Sequence, residues 1–191
     1  FELSFSRTLS GSADFDVSFD KFGGHVDLSV TLEASVKELD ARLDHVLMQD
    51  PTGQRLQTIP GVGPITATAL LGSVPHIHQF HRGRQFASWL GLTPQEAASG
   101  HRVWRGRLSK RGDVYLRTLL IHGGRSVVTH AQRRARCGKV PLTGLQQWAV
   151  ELAGRRGPNK AAAAVANRLA RLIWAIWRSE LPYDSAHRTA A

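Results

Sequence analysis

Between residues 99 and 112 the chain reads Ser99-Gly100-His101-Arg102-Val103-Trp104-Arg105-Gly106-Arg107-Leu108-Ser109-Lys110-Arg111-Gly112. Hydroxyls, glycines and fixed cations are combined in one short stretch. A serine hydroxyl attacks a DNA phosphate when two needs are met. Its proton must be removed, and the charge that builds around phosphorus must be neutralised. Arginine meets the second need, as a planar bidentate donor that never loses its charge. A glycine after a serine lets the backbone come close to a bulky substrate. The same composition also describes a basic loop that tracks DNA with ordinary serines. From composition alone that plainer reading is preferred.

A second segment supplies an anion grip of another kind. Residues 56–74 run Leu-Gln-Thr-Ile-Pro-Gly-Val-Gly-Pro-Ile-Thr-Ala-Thr-Ala-Leu-Leu-Gly-Ser-Val, the pattern of a helix-hairpin-helix. Ile59 closes a short first helix. Gly61 and Gly63 are expected to enter positive φ and turn the chain sharply. Pro64 takes the first position of the next helix, where a missing N–H costs nothing. Ile65, Ala69 and Leu70 then form an apolar stripe at helical spacing. Free amides around Gly61, Val62 and Gly63, with Thr66 in the first turn, make an anion site at the helix's positive end. A plain helix–loop–helix turn is the alternative, and the basic surroundings favour phosphate binding.

Charge supports a polyanion partner. The 191-residue chain has a formal net charge of +10, and 42% of its residues are apolar, enough for a real core. Residues 1–81 carry a net −5, residues 82–136 a net +10 and residues 137–191 a net +5. A block that basic exceeds what solubility requires and points to nucleic acid before membrane. Arg82 and Arg84 open the block, and Arg102, Arg105, Arg107, Lys110, Arg111 and Arg117 continue it. All eight are candidate phosphate contacts. A single cysteine, Cys137, excludes an intrachain disulfide and suits a reducing cytoplasm. It reads as an incidental loop thiol. No apolar run reaches bilayer length, and no signal peptide is visible. His76, His78 and His81 tempt a metal reading, but no acidic or thiol partner stands near them in sequence. They read as surface or DNA-facing, and no metal ligands are assigned.

The elements that must position these residues are mostly helices. Residues 1–27 are weakly organised, either a strand around Phe15, Val17 and Phe19 or a tail. Residues 28–49 form an amphipathic helix, with Leu32, Val36, Leu39, Leu43, Val46 and Leu47 at three- and four-residue steps. It is either a coiled-coil seam for self-association or a helix laid on its own domain, and Pro51-Thr52-Gly53 is expected to stop it. A short helix at 84–91 ends at Gly91, and 95–112 reads as a β-hairpin or an extended loop. A strong helix covers 113–131, with Gly123-Gly124 marking close packing or a kink, and a basic loop follows at 133–144. Helices at 145–153 and 158–178 complete the chain, the last anchored by Trp174 and Trp177. The domain plan is a poorly organised segment 1–27, the helix 28–50, a helix-hairpin-helix domain 51–183 and a loose tail 184–191.

Four stretches in order carry a family resemblance. They are Thr58-Ile-Pro-Gly-Val-Gly-Pro-Ile-Thr-Ala, Arg84-Gln-Phe-Ala-Ser-Trp-Leu-Gly-Leu-Thr-Pro94, Ser109-Lys-Arg-Gly-Asp-Val-Tyr-Leu-Arg-Thr-Leu-Leu-Ile-His122, and Asn159-Lys160 followed by Val165-Ala-Asn-Arg-Leu-Ala-Arg-Leu-Ile-Trp-Ala175. Over roughly residues 30–183 the chain resembles the C-terminal transposase domain of the family named after insertion sequences 110, 116 and 902. The resemblance implies a recombinase acting in DNA transposition, in which an N-terminal RuvC-like domain with a DEDD carboxylate set accompanies this C-terminal domain. It implies Mg²⁺ for the full-length enzyme, held by that other domain and not by this chain. It implies DNA as partner and, in some members, a structured guide RNA. The family's nucleophilic serine sits in a Ser-Gly pair ahead of the basic motif, which here is Ser99 with Gly100. Ser109 is the second choice. The chain departs from the pattern at His101-Arg102-Val103-Trp104, where the family is richer in glycine. The RuvC-like domain is expected to be missing as well, since only 27 residues precede the helix at 28–49. The expectation is therefore a cytoplasmic, DNA-binding transposase fragment, inactive alone, with a non-catalytic helix-hairpin-helix binding module as the alternative.

Overall fold

A computed structural model describes residues 24–99, 102–138 and 141–184. The strand-or-tail alternative at residues 14–20 lies outside them. The described fold is mostly helical, as the periodicity predicts. Contacts divide the chain between Arg42 and Leu43, within the first helix, α1 (Gly24–Gln49). Along α1 the apolar positions Leu32, Val36, Leu39 and Val46 are exposed.

The first helix ends at Gln49, as expected ahead of Pro51, with Asp50 held extended by the proline that follows it. Asp50 also caps a second helix, α2 (Pro51–Gln57), by accepting the N–H groups of Thr52 at 2.7 Å and Gly53 at 3.3 Å. Pro51 is the first residue of that helix, where it gives up an N–H that the helix never uses. A tight turn then leads to α3 (Pro64–Ser73). Gly61 takes φ +88°, the left-handed region that favours glycine. Gly63 does not. It caps α3 with φ −96° and ψ 179°, an extended conformation open to any residue. The buried face of α3 is Thr66, Ala67 and Leu70, while Ile65 is 46% exposed. The predicted stripe was thus rotated by about one residue.

The 3-10 turn at Ile77–Gln79 and the short helix α4 (Gly83–Trp89) bring the chain to the hairpin strands β1 (Pro94–Ser99) and β2 (Arg102–Leu108). Of the two readings of residues 95–112, the β-hairpin is the one observed. Helix α5 (Val114–Cys137) follows, capped by the Asp113 side chain on the Leu116 N–H at 2.8 Å. It runs further than 131. The arginines assigned to a basic loop at 133–144 continue the helix, because arginine is a good helix former and its charge suits the negative C-terminal end. Cys137 is therefore the last helical residue, exposed, before Gly138 at φ +64° ends the helix. Helix α6 (Gly144–Arg156) starts with a Thr143–Gln146 capping box, and α7 (Pro158–Ser179) completes the layer.

The core lies around α7, whose buried face runs through Val165, Leu169, Ile173 and Ile176. Its most extensive packing is against α5. The glycine pair in α5 serves close approach, not a kink. A Cβ on Gly123 would overlap the Gly61 carbonyl oxygen, so the turn between α2 and α3 rests directly on α5. Three side chains of α7 hold the segment 80–92. Trp174 Nε1 donates to the Phe80 carbonyl at 2.8 Å, Asn167 Nδ2 to the Leu92 carbonyl at 3.1 Å and Arg178 to the His81 carbonyl at 3.4 Å. Past α7, burial pushes the Tyr183 phenol above its ordinary range, partly offset by the nearby Arg168 charge.

Candidate nucleic-acid interface

The hairpin places Ser99 at the end of β1, directly across the antiparallel pair from Arg102. Ser99 is exposed. Side chains alternate between the two faces of a strand pair. Ala97 pairs with Trp104, so Ser99 and Trp104 share a face, and Trp104 is 68% exposed. Glu96, the one carboxylate of residues 94–108, stands three steps from Ser99 along β1, on the other face. Among the described elements the two strands pack on each other and on no helix.

What carries the hairpin is its base. The Ser109 N–H donates to the Thr93 carbonyl at 2.9 Å, and the Lys110 N–H to the Gly91 carbonyl at 3.2 Å. Lys110 holds φ +54°, uncommon for a residue with a side chain, and stays exposed beside Arg111. Ser109 is only half exposed, which suits the structural role implied for it.

Beneath this turn lies Arg117, which corrects its assignment as a phosphate contact. It is 8% exposed, and its Nη1 donates to the carbonyls of Gly112 at 3.1 Å, Leu90 at 3.4 Å and Asp113 at 3.5 Å. One guanidinium thus pins the end of α4, the basic turn and the start of α5 together. The sequence did carry a signal for this. Arg117, Leu120, Gly124, Val127 and Ala131 follow one another at three- and four-residue steps, and all are buried. Arg117→Met is expected to lower unfolding stability by about 2–3 kcal/mol, since it deletes charge-assisted bonds and strands the carbonyls of Gly112 and Leu90. Urea unfolding measures the loss, and the salt dependence of nucleic-acid binding should stay at its native slope.

The turn between α2 and α3 offers backbone, not side chains. Val62 is buried in the core and Thr66 is 7% exposed, so neither side chain reaches a ligand. Gly63 is exposed at the start of α3, where no side chain caps the helix. That leaves the first-turn amides of α3 with no side-chain acceptor, in contrast to the capped starts of α2, α5 and α6.

A groove of about 960 Å³ beside α7 gathers residues that sequence reasoning left apart. Arg82 and Arg84, both singled out from the sequence, line it together with Lys160, Arg168 and Arg171. Local packing explains the convergence. Gly83 sits against the Arg171 backbone, closely enough that its two flanking arginines are held over α7. No Asp or Glu is among the described lining residues. The apolar part of the lining comes from Leu92, Pro94, Leu108 and Leu172, together with Trp148 and Trp174. The Arg168 guanidinium lies 5.1 Å from the Trp148 ring centre. His76, His78 and His81 are exposed, and among the described residues no group of three or more His, Cys, Asp or Glu could hold a metal.

Fold and site together define a mostly helical domain with a cation-lined groove and a serine-bearing hairpin. Residues 53–137, from α2 to the end of α5, match the model described as the Transposase IS116/IS110/IS902 family. The chain thus matches the C-terminal domain region of this transposase family. It is 42% identical over 153 residues to a probable family 20 transposase of Pseudomonas aeruginosa, covering 80% of this chain and 43% of that protein. It is 39% identical over 151 residues to the transposase for insertion sequence element IS1111A of Coxiella burnetii, covering 79% and 40%. A putative transposase y4pF/y4sB of Sinorhizobium fredii is 35% identical over 176 residues, covering 92% and 44%. The chain thus spans less than half the length of these relatives.

Proposed function

We propose that this chain is the DNA-engaging C-terminal part of a transposase, and that in the assembled enzyme Ser99 is the nucleophile of strand cleavage and rejoining. The observation that carries this is an exposed hydroxyl set opposite Arg102 on a carboxylate-poor hairpin whose base ends in Lys110 and Arg111. In the step envisaged, a bond forms between Ser99 Oγ and phosphorus as the bond from phosphorus to a deoxyribose oxygen breaks. The serine proton leaves, the departing oxygen gains one, and the flanking cations neutralise charge on the phosphate. Arginine keeps its proton at working pH, so it serves as a charge clamp and not as the base. Glu96 faces away from Ser99 on the strand pair. The proton acceptor and any Mg²⁺ therefore belong to parts of the enzyme other than the described residues, and the chain alone is expected to be inactive.

That orientation of Glu96 also favours the second reading, a non-catalytic binding module. The two readings share a binding surface and part at the chemistry. Within the first, the exposed apolar positions of α1 form a self-association seam, a structured guide RNA is a second partner, and the protein works in the cytoplasm. No described helix is long and apolar enough to cross a membrane.

Binding itself is tested by salt. Among the described residues Arg107, Lys110 and Arg111 pair with no carboxylate, so their charge is free for phosphates. Duplex DNA affinity should fall steeply with ionic strength, as condensed counterions are released. The double variant Lys110→Glu, Arg111→Glu should lower affinity at moderate salt by about tenfold or more and flatten the log–log slope by about two. An unchanged slope in a titration followed by fluorescence anisotropy would remove this turn from the interface.

A further inference from the structure

The groove beside α7 is not explained by duplex binding on the hairpin side. Its rim is cationic, and the described lining holds no carboxylate to neutralise Arg82, Arg84, Lys160, Arg168 and Arg171. Five like charges held around one cavity repel one another and are kept apart from counter-charge at a cost in stability. The rest of its lining is the opposite in character, apolar and with two tryptophans. A free phosphate would use the cations and leave the apolar lining unsatisfied. A double helix would present phosphates to the rim but keep its base faces stacked out of reach. An unpaired strand satisfies both, because its phosphates follow the cations while its exposed base faces cover apolar and aromatic surface.

The lining is preorganised for that use. Trp174 is fixed by its hydrogen bond to the Phe80 carbonyl, and Asn167 by its bond to the Leu92 carbonyl, which leaves the Asn167 carbonyl oxygen free to accept from a base edge. Arg168 lies over Trp148, where a flat guanidinium adds a second stacking plane. The cavity, about 960 Å³, is at the upper end of the ~300–1,000 Å³ typical of small-ligand pockets, so it has room for a short run of nucleotides.

We propose that this groove is a seat for a single-stranded polynucleotide, separate from the duplex-binding surface of the hairpin base. The assignment rests on the nucleic-acid reading above and adds a strand type and a second site to it.

The test uses the whole chain, fluorescent thymidine and uridine oligomers of about 12 nucleotides, which lack secondary structure, and a duplex of the same length. Arg84→Glu and Lys160→Glu are suitable variants, since both side chains are exposed and neither carries a described structural bond. Each should weaken single-strand binding by about tenfold while leaving duplex binding within about twofold. Lys110→Glu with Arg111→Glu should do the reverse. Tighter uridine than thymidine binding assigns the seat to RNA and the opposite order to DNA, and either supports it. Single-strand affinity untouched by both groove variants, or equal losses for strand and duplex, overturns it. If native protein binds neither probe, the nucleic-acid reading itself falls. If duplex binding remains and depends on Lys110 and Arg111, only the groove assignment falls.

Discussion

In a full-length transposase carrying this domain, Ser99→Ala is expected to reduce strand transfer by at least about a thousandfold, the scale on which removal of a covalent nucleophile is felt. DNA affinity should not change, because the hydroxyl contributes chemistry and little binding. The variant is a clean one. Ser99 is exposed at a strand end, its ladder bonds come from the backbone, and no described side-chain hydrogen bond involves it. Loss of activity would therefore not report unfolding. Ser109→Ala serves as the comparison. Its backbone N–H ties the turn to Thr93, an interaction that alanine keeps, so activity should fall by only a few-fold. Strand transfer in a plasmid assay, scored beside binding by anisotropy, reads both variants. Full activity in Ser99→Ala with loss in Ser109→Ala would move the chemistry to the base of the hairpin.

The second large effect concerns stability, and its sign is not the one helix propensity suggests. Gly123 lies inside α5, where replacing glycine by alanine normally gains about 0.5–1 kcal/mol. Here the added methyl would overlap the carbonyl oxygen of Gly61, and the Gly61 backbone cannot retreat without giving up its turn at φ +88°. Overpacking against backbone costs about 1–3 kcal/mol and sometimes more, which outweighs the propensity gain. Gly123→Ala should therefore destabilise by about 2 kcal/mol. Gly154, inside α6, has open space where a Cβ would stand, so Gly154→Ala should stabilise by about 0.5–1 kcal/mol. Urea unfolding of the two variants separates the effects by sign. Because Gly123 supports the turn from below, Gly123→Ala should also weaken duplex binding, whereas Gly154→Ala should not.

Legibility followed the range of the forces involved. The turn between α2 and α3 was readable because glycine and proline act through their own backbone, and Gly61 and Pro64 behave as their chemistry dictates. Gly63 was overread, since a second glycine nearby does not require a second left-handed turn. Helix α5 was read too short because Arg133, Arg134 and Arg136 were counted as charge, although arginine suits the last turns of a helix. Arg117 shows the same habit at higher cost. Its place in a basic block suggested a phosphate contact, while its place on the buried stripe with Leu120 and Gly124 pointed inward. The groove had no local signal at all. Arg84 is distant in sequence from Lys160 and Arg171, both on α7, and meets them where α4 lies against α7 with Gly83 at the contact. Ser99 is a different case, since no periodicity or spacing singled it out from Ser109. The family resemblance did so, and exposure at the end of β1 is what the fold adds.

The central claim is that one side chain, Ser99, becomes joined to DNA during transposition. Trapping the reaction of the full-length enzyme on a cleavable DNA substrate, digesting both polymers and sequencing the modified peptide by mass spectrometry tests it directly. The expected result is a nucleotide attached through a phosphodiester to Ser99. A nucleotide on Ser109 or on another residue, or strand transfer that runs to completion with no protein–DNA link at any time, would contradict it.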